Sequence, residues 1–286
     1  MHYITSKSIL SPKNGMNIYR GCTHGCIYCD SRSEIYKMEH EFEDIAVKRN
    51  SLSLLKKQLI KRPKAMIGTG AMSDPYMPLE KNLEFTRKSL ELINRYGFGF
   101  TCITKSDLVL RDLDLLKKIN EKSKVVVQMT ITTADDDLCK ILEPGVCETS
   151  KRVDALKKLN KEGIPTVVWL CPILPYINDT SDNINSILDF CIDANVKGIL
   201  CIEMGLTLRK GNREYFYKKL DQHFPGLKEK YIEEFGNRYS LPSPNSKQLM
   251  SIFNKKTQKH GLMNNPQEIF QYLSHFPQKS LQSKLI

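Results

Sequence analysis

Through most of the chain, short runs of β-branched and apolar residues alternate with longer segments whose apolar positions recur at helical spacing. Residues 65–69, 100–104, 125–132, 166–170 and 199–204 are such runs, bounded by Gly, Pro or charge, and they predict buried strands. Between them, 80–96, 110–121, 150–162 and 182–194 predict helices. Asp112 and Asp114 favour a helix start, and Gly97 and Gly163 stand where helices should stop. A weaker first unit comprises 16–19, a cysteine-bearing loop, a short run at 45–48 and an amphipathic segment at 52–60, which brings the total to about six βα units.

This alternation implies an α/β fold with a parallel sheet and right-handed crossovers, either barrel-like or open and doubly wound. In both forms a site lies at the carboxyl ends of the strands. Polar and reactive residues stand just past the predicted strand ends. Cys22, Cys26 and Cys29 follow the first, Ser73 and Asp74 the second, and Lys105 and Ser106 the third. Thr130 to Thr133 close the fourth, 172–179 follow the fifth, and Glu203 and Arg209 follow the sixth. Beyond this point the βα rhythm stops, so a core of residues 1–205 and a mainly helical extension of 206–286 are expected.

Composition narrows the class. With 26% charged residues in 286, the chain is globular, not disordered, collagen-like or coiled coil. No run approaches the ~20 apolar residues of a bilayer span, and residues 1–15 are polar where a signal peptide would be apolar. No membrane partner and a cytoplasmic location are expected. In a reducing compartment nine cysteines do not form a disulfide framework.

The net charge of +11 is uneven, because residues 207–286 carry 14 Lys and Arg against six acids. Aromatics such as Tyr215, Tyr231 and Tyr239 are interleaved with these cations, which suits a phosphate-and-base surface. Amphipathic helices with solvated lysines over an aromatic core would give the same pattern.

The segment Cys22-Thr-His-Gly-Cys26-Ile-Tyr-Cys29 packs three thiols into eight residues, and Gly25 lets the backbone wrap closely around whatever they hold. Structural zinc wants four ligands, usually as two pairs, and the other six cysteines are scattered; His24 could complete such a site. Three thiolates also suit a [4Fe–4S] cluster with one iron left open for a non-protein ligand.

The C-x3-C-x2-C spacing with Tyr28 before the last cysteine resembles the signature of the radical S-adenosylmethionine enzymes. That resemblance implies a partial (β/α)6 barrel over roughly residues 15–205, with a [4Fe–4S] cluster on Cys22, Cys26 and Cys29. It also implies that the cluster binds S-adenosylmethionine and cleaves it reductively to methionine and a 5′-deoxyadenosyl radical. An electron donor such as flavodoxin or ferredoxin would supply the reductant.

Within the superfamily, the sequence is most similar to the spore photoproduct lyase and DNA repair photolyase-like branch. The similarity runs through Gly68 to Tyr76, Thr104-Lys105-Ser106, Glu143-Pro144-Gly145 with Arg152, and Pro172 to Asp179. It implies cofactor contacts from Tyr28, from Ser73 and Asp74 to the methionine ammonium, from Lys105 to its carboxylate and from Thr130 to the ribose. Two positions depart from the lyase: Ala71 stands where it has a hydrogen-returning cysteine, and Asp30 where it has a tyrosine. Cys102, Cys171 and Cys201 are the alternative hydrogen donors. The sequence does not identify the substrate, for which DNA or RNA is the first candidate. The alternatives are a protein or small-metabolite substrate, or a non-catalytic nucleic-acid-binding module stabilised by metal.

Overall fold

The fold comes from a computed structural model that describes residues 1–277; Lys279 and Lys284 of the basic tail lie outside the described residues. Its main sheet has six parallel strands hydrogen-bonded in sequence order. They are β1 (Gly15–Met16), β2 (Met66–Thr69), β3 (Gly99–Thr104), β4 (Val125–Thr130), β5 (Thr166–Trp169) and β6 (Gly198–Leu200). The two outer strands do not pair with each other, so the sheet is an open, partial barrel with helices on its outer face.

Side-chain alternation decides what each face does. On β4, Val125, Val127 and Met129 point outward into a core shared with α1 (Ser51–Lys61), α2 (Phe85–Tyr96), α3 (Leu113–Lys122), α4 (Thr149–Lys161) and α5 (Ser181–Asp193). Val126 and Gln128 point inward. There Val126, Val167 and Leu200 meet Ile269 and Leu273, from a C-terminal helix that spans Pro266–Ser274. One layer further along, the Trp169 indole donates to Gln128 at 2.8 Å, and the Gln128 amide donates to the Thr101 hydroxyl at 2.7 Å. The concave face is therefore filled by a helix at its amino end, floored by this polar row, and open at the carboxyl ends of the strands.

The Pro266–Ser274 helix is part of the barrel core, and Ile269 is fully buried. Ile269→Ala is expected to cost about 2–5 kcal/mol, the range for emptying a large apolar side chain from a packed core. Urea denaturation measures it, and a cost under about 1 kcal/mol would mean the helix is only loosely docked.

Several predicted elements change at their ends for identifiable reasons. The helix expected over 80–96 breaks at Glu84, which has φ 55°. The buried Glu80 carboxylate accepts the Thr86 amide at 3.0 Å and so caps the second segment. The helix expected at 110–121 begins with a 3-10 turn, Asp107–Asp112. The strand expected at 199–204 stops at Leu200, because the chain then turns to pair Gly205–Thr207 antiparallel with Ser240–Pro242. The short helix Asp136–Leu142, capped by Asp135, lies between predicted elements. Residues from 212 onward supply the helices Asn212–His223, Leu227–Phe235 and Ser246–Lys259. Among the described residues, no helix is long and apolar enough to cross a membrane.

Candidate active site

The cysteine loop leaves the first strand unit and is held from two sides. The Cys22 amide donates to the Phe42 carbonyl at 3.1 Å, and the Ile27 amide to the Leu142 carbonyl at 2.9 Å. Gly25 adopts φ 66°, and a side chain there would also meet the Pro144 ring. Opposite it, the Gly145 amide donates to the His24 carbonyl at 2.8 Å, and a Cβ on Gly145 would lie 2.5 Å from the Thr23 carbonyl oxygen. Residues 142–145 are thus pressed flat against the loop.

A buried ion pair fixes that segment. Arg152 and Glu143 are both fully buried and 2.5 Å apart. The other Glu143 oxygen accepts the Tyr28 hydroxyl, while Arg152 also donates to the carbonyls of Thr130 and Cys147, each at 3.0 Å. The cluster-loop aromatic, the end of β4 and the 142–147 turn therefore meet at one guanidinium. Burial works against the Glu143 carboxylate, but Arg152 and Lys105 outweigh it and hold its pKa below the ordinary value.

Cys22 and Cys26 are buried, Cys29 is half-buried, and all three are free thiols. Burial pushes the Cys22 thiol up to about 12. Among the described residues, the only trio of His, Cys, Asp or Glu ligand atoms within 4.8 Å of one another is His2, His40 and Asp44. The three cysteine sulfurs thus do not all lie within 4.8 Å of one another. His24 Nδ1 lies 3.4 Å from the Asp74 carboxylate. Three free thiols in one loop, two buried and Cys29 facing a cavity, are a soft donor set that suits an iron–sulfur cluster.

Cys29 opens into a cavity of about 730 Å³ at the carboxyl ends of the strands, within the range of roughly 300–1,000 Å³ for small-molecule sites. Tyr28, Lys105, Thr130, Trp169 and Cys171 surround its inner part, and Asp30, Tyr36, Glu203 and Tyr239 its mouth. The Lys105 ammonium lies 5.7 Å from the Tyr28 ring centroid. Burial opposes its charge, but Cys26 and Glu143 outweigh burial and raise its pKa, so it stays protonated. At the mouth, Tyr36 donates to Asp30 at 2.7 Å, and Arg209 bridges Asp30 at 3.4 Å to the Tyr239 hydroxyl at 2.9 Å.

Of the residues expected to contact a cofactor, Tyr28, Lys105 and Thr130 line this cavity, together with Cys29. Ser73 and Asp74 do not. The Ser73 hydroxyl donates to the Tyr19 carbonyl at 3.1 Å. Asp74 accepts from the Tyr76 amide, the Thr104 hydroxyl and the Lys105 amide, each at 2.8 Å, and so helps to hold Lys105 in place beside the cavity. Of the three alternative thiols only Cys171 lines the cavity; Cys102 and Cys201 are core residues. Sequence reasoning gave no role to Trp169 or Tyr36, and took Tyr239 only as one of the aromatics of the basic segment. The single tryptophan at a predicted strand end was the one available signal.

Fold and site together define the class: the chain belongs to the radical SAM superfamily, whose model matches residues 16–191. An uncharacterized protein of Methanocaldococcus jannaschii is 36% identical over 178 residues, which cover 62% of this chain and 66% of that protein. A protein of Pseudomonas phage M6 described as a radical SAM Nalpha-GlyT isomerase is 25% identical over 169 residues, covering 59% of this chain and 34% of that one. Among solved structures, a spore photoproduct lyase mutant superposes with a TM-score of 0.66 at 14% identity, covering 92% of this chain and 80% of that one. At that identity the likeness is one of fold.

Proposed function

We propose that Cys22, Cys26 and Cys29 hold a [4Fe–4S] cluster and that the chain uses it with S-adenosylmethionine to start radical chemistry on a nucleic-acid substrate. The carrying observation is that three free thiols in one loop open through Cys29 into a cavity that also presents a protonated lysine. When bound there, the cluster and cofactor supply the electron and the carbon radical that removes a hydrogen atom from substrate.

The chain's own groups bind and orient. Lys105 pairs with no acid among the described residues and suits the cofactor's carboxylate, while the buried Thr130 hydroxyl suits a ribose oxygen. Trp169 and Tyr239 offer flat faces to a base turned into the cavity. The structurally similar spore photoproduct lyase has been solved with a dinucleoside spore photoproduct, and that ligand is what suggests a nucleic-acid substrate for this chain. The test is 5′-deoxyadenosine formation by the reduced, reconstituted protein with damaged DNA, intact DNA and RNA. Turnover that none of these stimulates, but that a peptide or metabolite fraction does, would move the substrate to another class.

We assign the return of a hydrogen atom to Cys171, the one of the three alternative thiols that lines the cavity. Burial pushes it up to about 11, so it remains S–H at neutral pH. Transfer of its hydrogen atom to a substrate radical would leave a thiyl, which one electron from the external donor and one proton restore. Cys171→Ala is expected to keep 5′-deoxyadenosine formation while losing most of the repaired or rearranged substrate. Equal loss of both would remove Cys171 from this role.

A further inference from the structure

We propose that the phosphodiester backbone of the substrate strand is held on the amino-terminal side of the active cavity, by Lys7, Arg20 and Lys48, and not by the basic C-terminal segment. The inference rests on the nucleic-acid reading above and assigns the backbone-binding surface that reading lacks.

A second cavity of about 470 Å³ is lined by Lys7, Arg20 and Lys48 together with Ser6 and Asn17, and by no acidic residue. None of the three cations forms an ion pair among the described residues. Arg20 donates to the Tyr36 and Lys37 carbonyls at 3.0 and 3.2 Å, and Lys48 to the Asn17 carbonyl at 2.7 Å. Carbonyls orient these groups without neutralising them. Burial and the Arg20 charge both lower the Lys48 pKa, so an anion here would relieve a real repulsion.

Several C-terminal cations are bound into the protein itself, whereas Lys218, Lys230, Lys247, Lys255 and Lys259 are exposed without an ion pair among the described residues and line neither cavity. Arg209 pairs with Asp30, Lys210 with Glu34, Lys228 with Asp221 and Lys256 with Asp189. Arg213 donates to the carbonyls of Leu208, Gly236, Asn237 and Arg238, where it closes a turn. Of the two acids lining the active cavity, Asp30 is the one paired with Arg209, and Glu203, which accepts the Ser240 hydroxyl at 3.0 Å, has no ion pair among the described residues.

The two cavities are neighbours. Tyr36 lines both, and one loop divides them, with Gly70 and Ala71 on the active cavity and Met72 and Ser73 on the basic one. A strand crossing this loop would place a base against Trp169 and its adjoining phosphate among the three cations.

The test measures binding of short fluorescein-labelled single-stranded DNA and RNA to the full-length reconstituted protein by anisotropy across a salt series. Lys7→Gln/Lys48→Gln should weaken binding and flatten the slope of log affinity against log salt by about 0.7 for each phosphate no longer neutralised. Lys218→Gln/Lys247→Gln, at two exposed C-terminal cations, should leave the slope unchanged. Lys7→Glu is a second variant, at an exposed side chain with no fold role, and should weaken binding in the same direction. A steep wild-type slope that only the C-terminal pair flattens, or that no variant changes, overturns this site and leaves the nucleic-acid reading standing. A wild-type protein that binds neither strand overturns both.

Discussion

Glu143→Gln is expected to destabilise the protein by about 3–5 kcal/mol, the usual cost of removing one partner from a buried ion pair. Arg152 has no exposure and would keep its charge opposite a neutral amide, because no acid other than Glu143 pairs with it among the described residues. Urea denaturation of the iron-free protein reads this directly, and a loss below about 1 kcal/mol would show that the pair is not the clamp described.

The pair's pH dependence has a definite sign. Glu143 is held below its ordinary value of 4.5, so its stabilisation is fully present above that value and is lost as pH falls through the lower folded-state pKa. Replacing both partners by apolar residues separates stability from positioning. Glu143→Leu/Arg152→Met should recover much of the stability, as buried pairs exchanged for packed apolar groups often do. It should still load iron poorly, because the Tyr28 hydroxyl loses Glu143 and the 142–147 turn loses its anchor to β4.

What was legible in the sequence was local. Five buried strands appear as apolar runs because both of their faces are covered, so each needs no alternation to be recognised. The cysteine loop is likewise legible, because ligand spacing is a property of adjacent residues. What was not legible depends on partners far apart in the chain. The Tyr28 hydroxyl meets Glu143 across 115 positions, and Arg209 meets Asp30 across 179. Nothing in residue periodicity specifies such pairs.

The same limit applies to charge. Fourteen cations near the C-terminus read as a surface, but Arg209, Arg213 and Lys256 are bound into the protein itself. Lys7, Arg20 and Lys48 are unremarkable along the sequence and meet only in the fold. Asp74 follows a predicted strand end, and the resemblance implies that it contacts the cofactor's ammonium. The fold gives its oxygens to three backbone and hydroxyl donors, and what faces the cavity is Lys105.

The second large effect concerns Cys26, which is buried in the middle of the loop with its neighbours clamped from both sides. Alanine in its place removes one sulfur and little packing volume, so the iron-free protein should unfold within about 1 kcal/mol of wild type. The reconstituted wild-type protein should carry about four irons and four labile sulfides per chain, and after reduction should release 5′-deoxyadenosine from S-adenosylmethionine. Cys26→Ala should hold well under half of that iron and form no 5′-deoxyadenosine above the protein-free background. If Cys26→Ala cleaves S-adenosylmethionine as fast as wild type, the three-cysteine loop is not the cluster site.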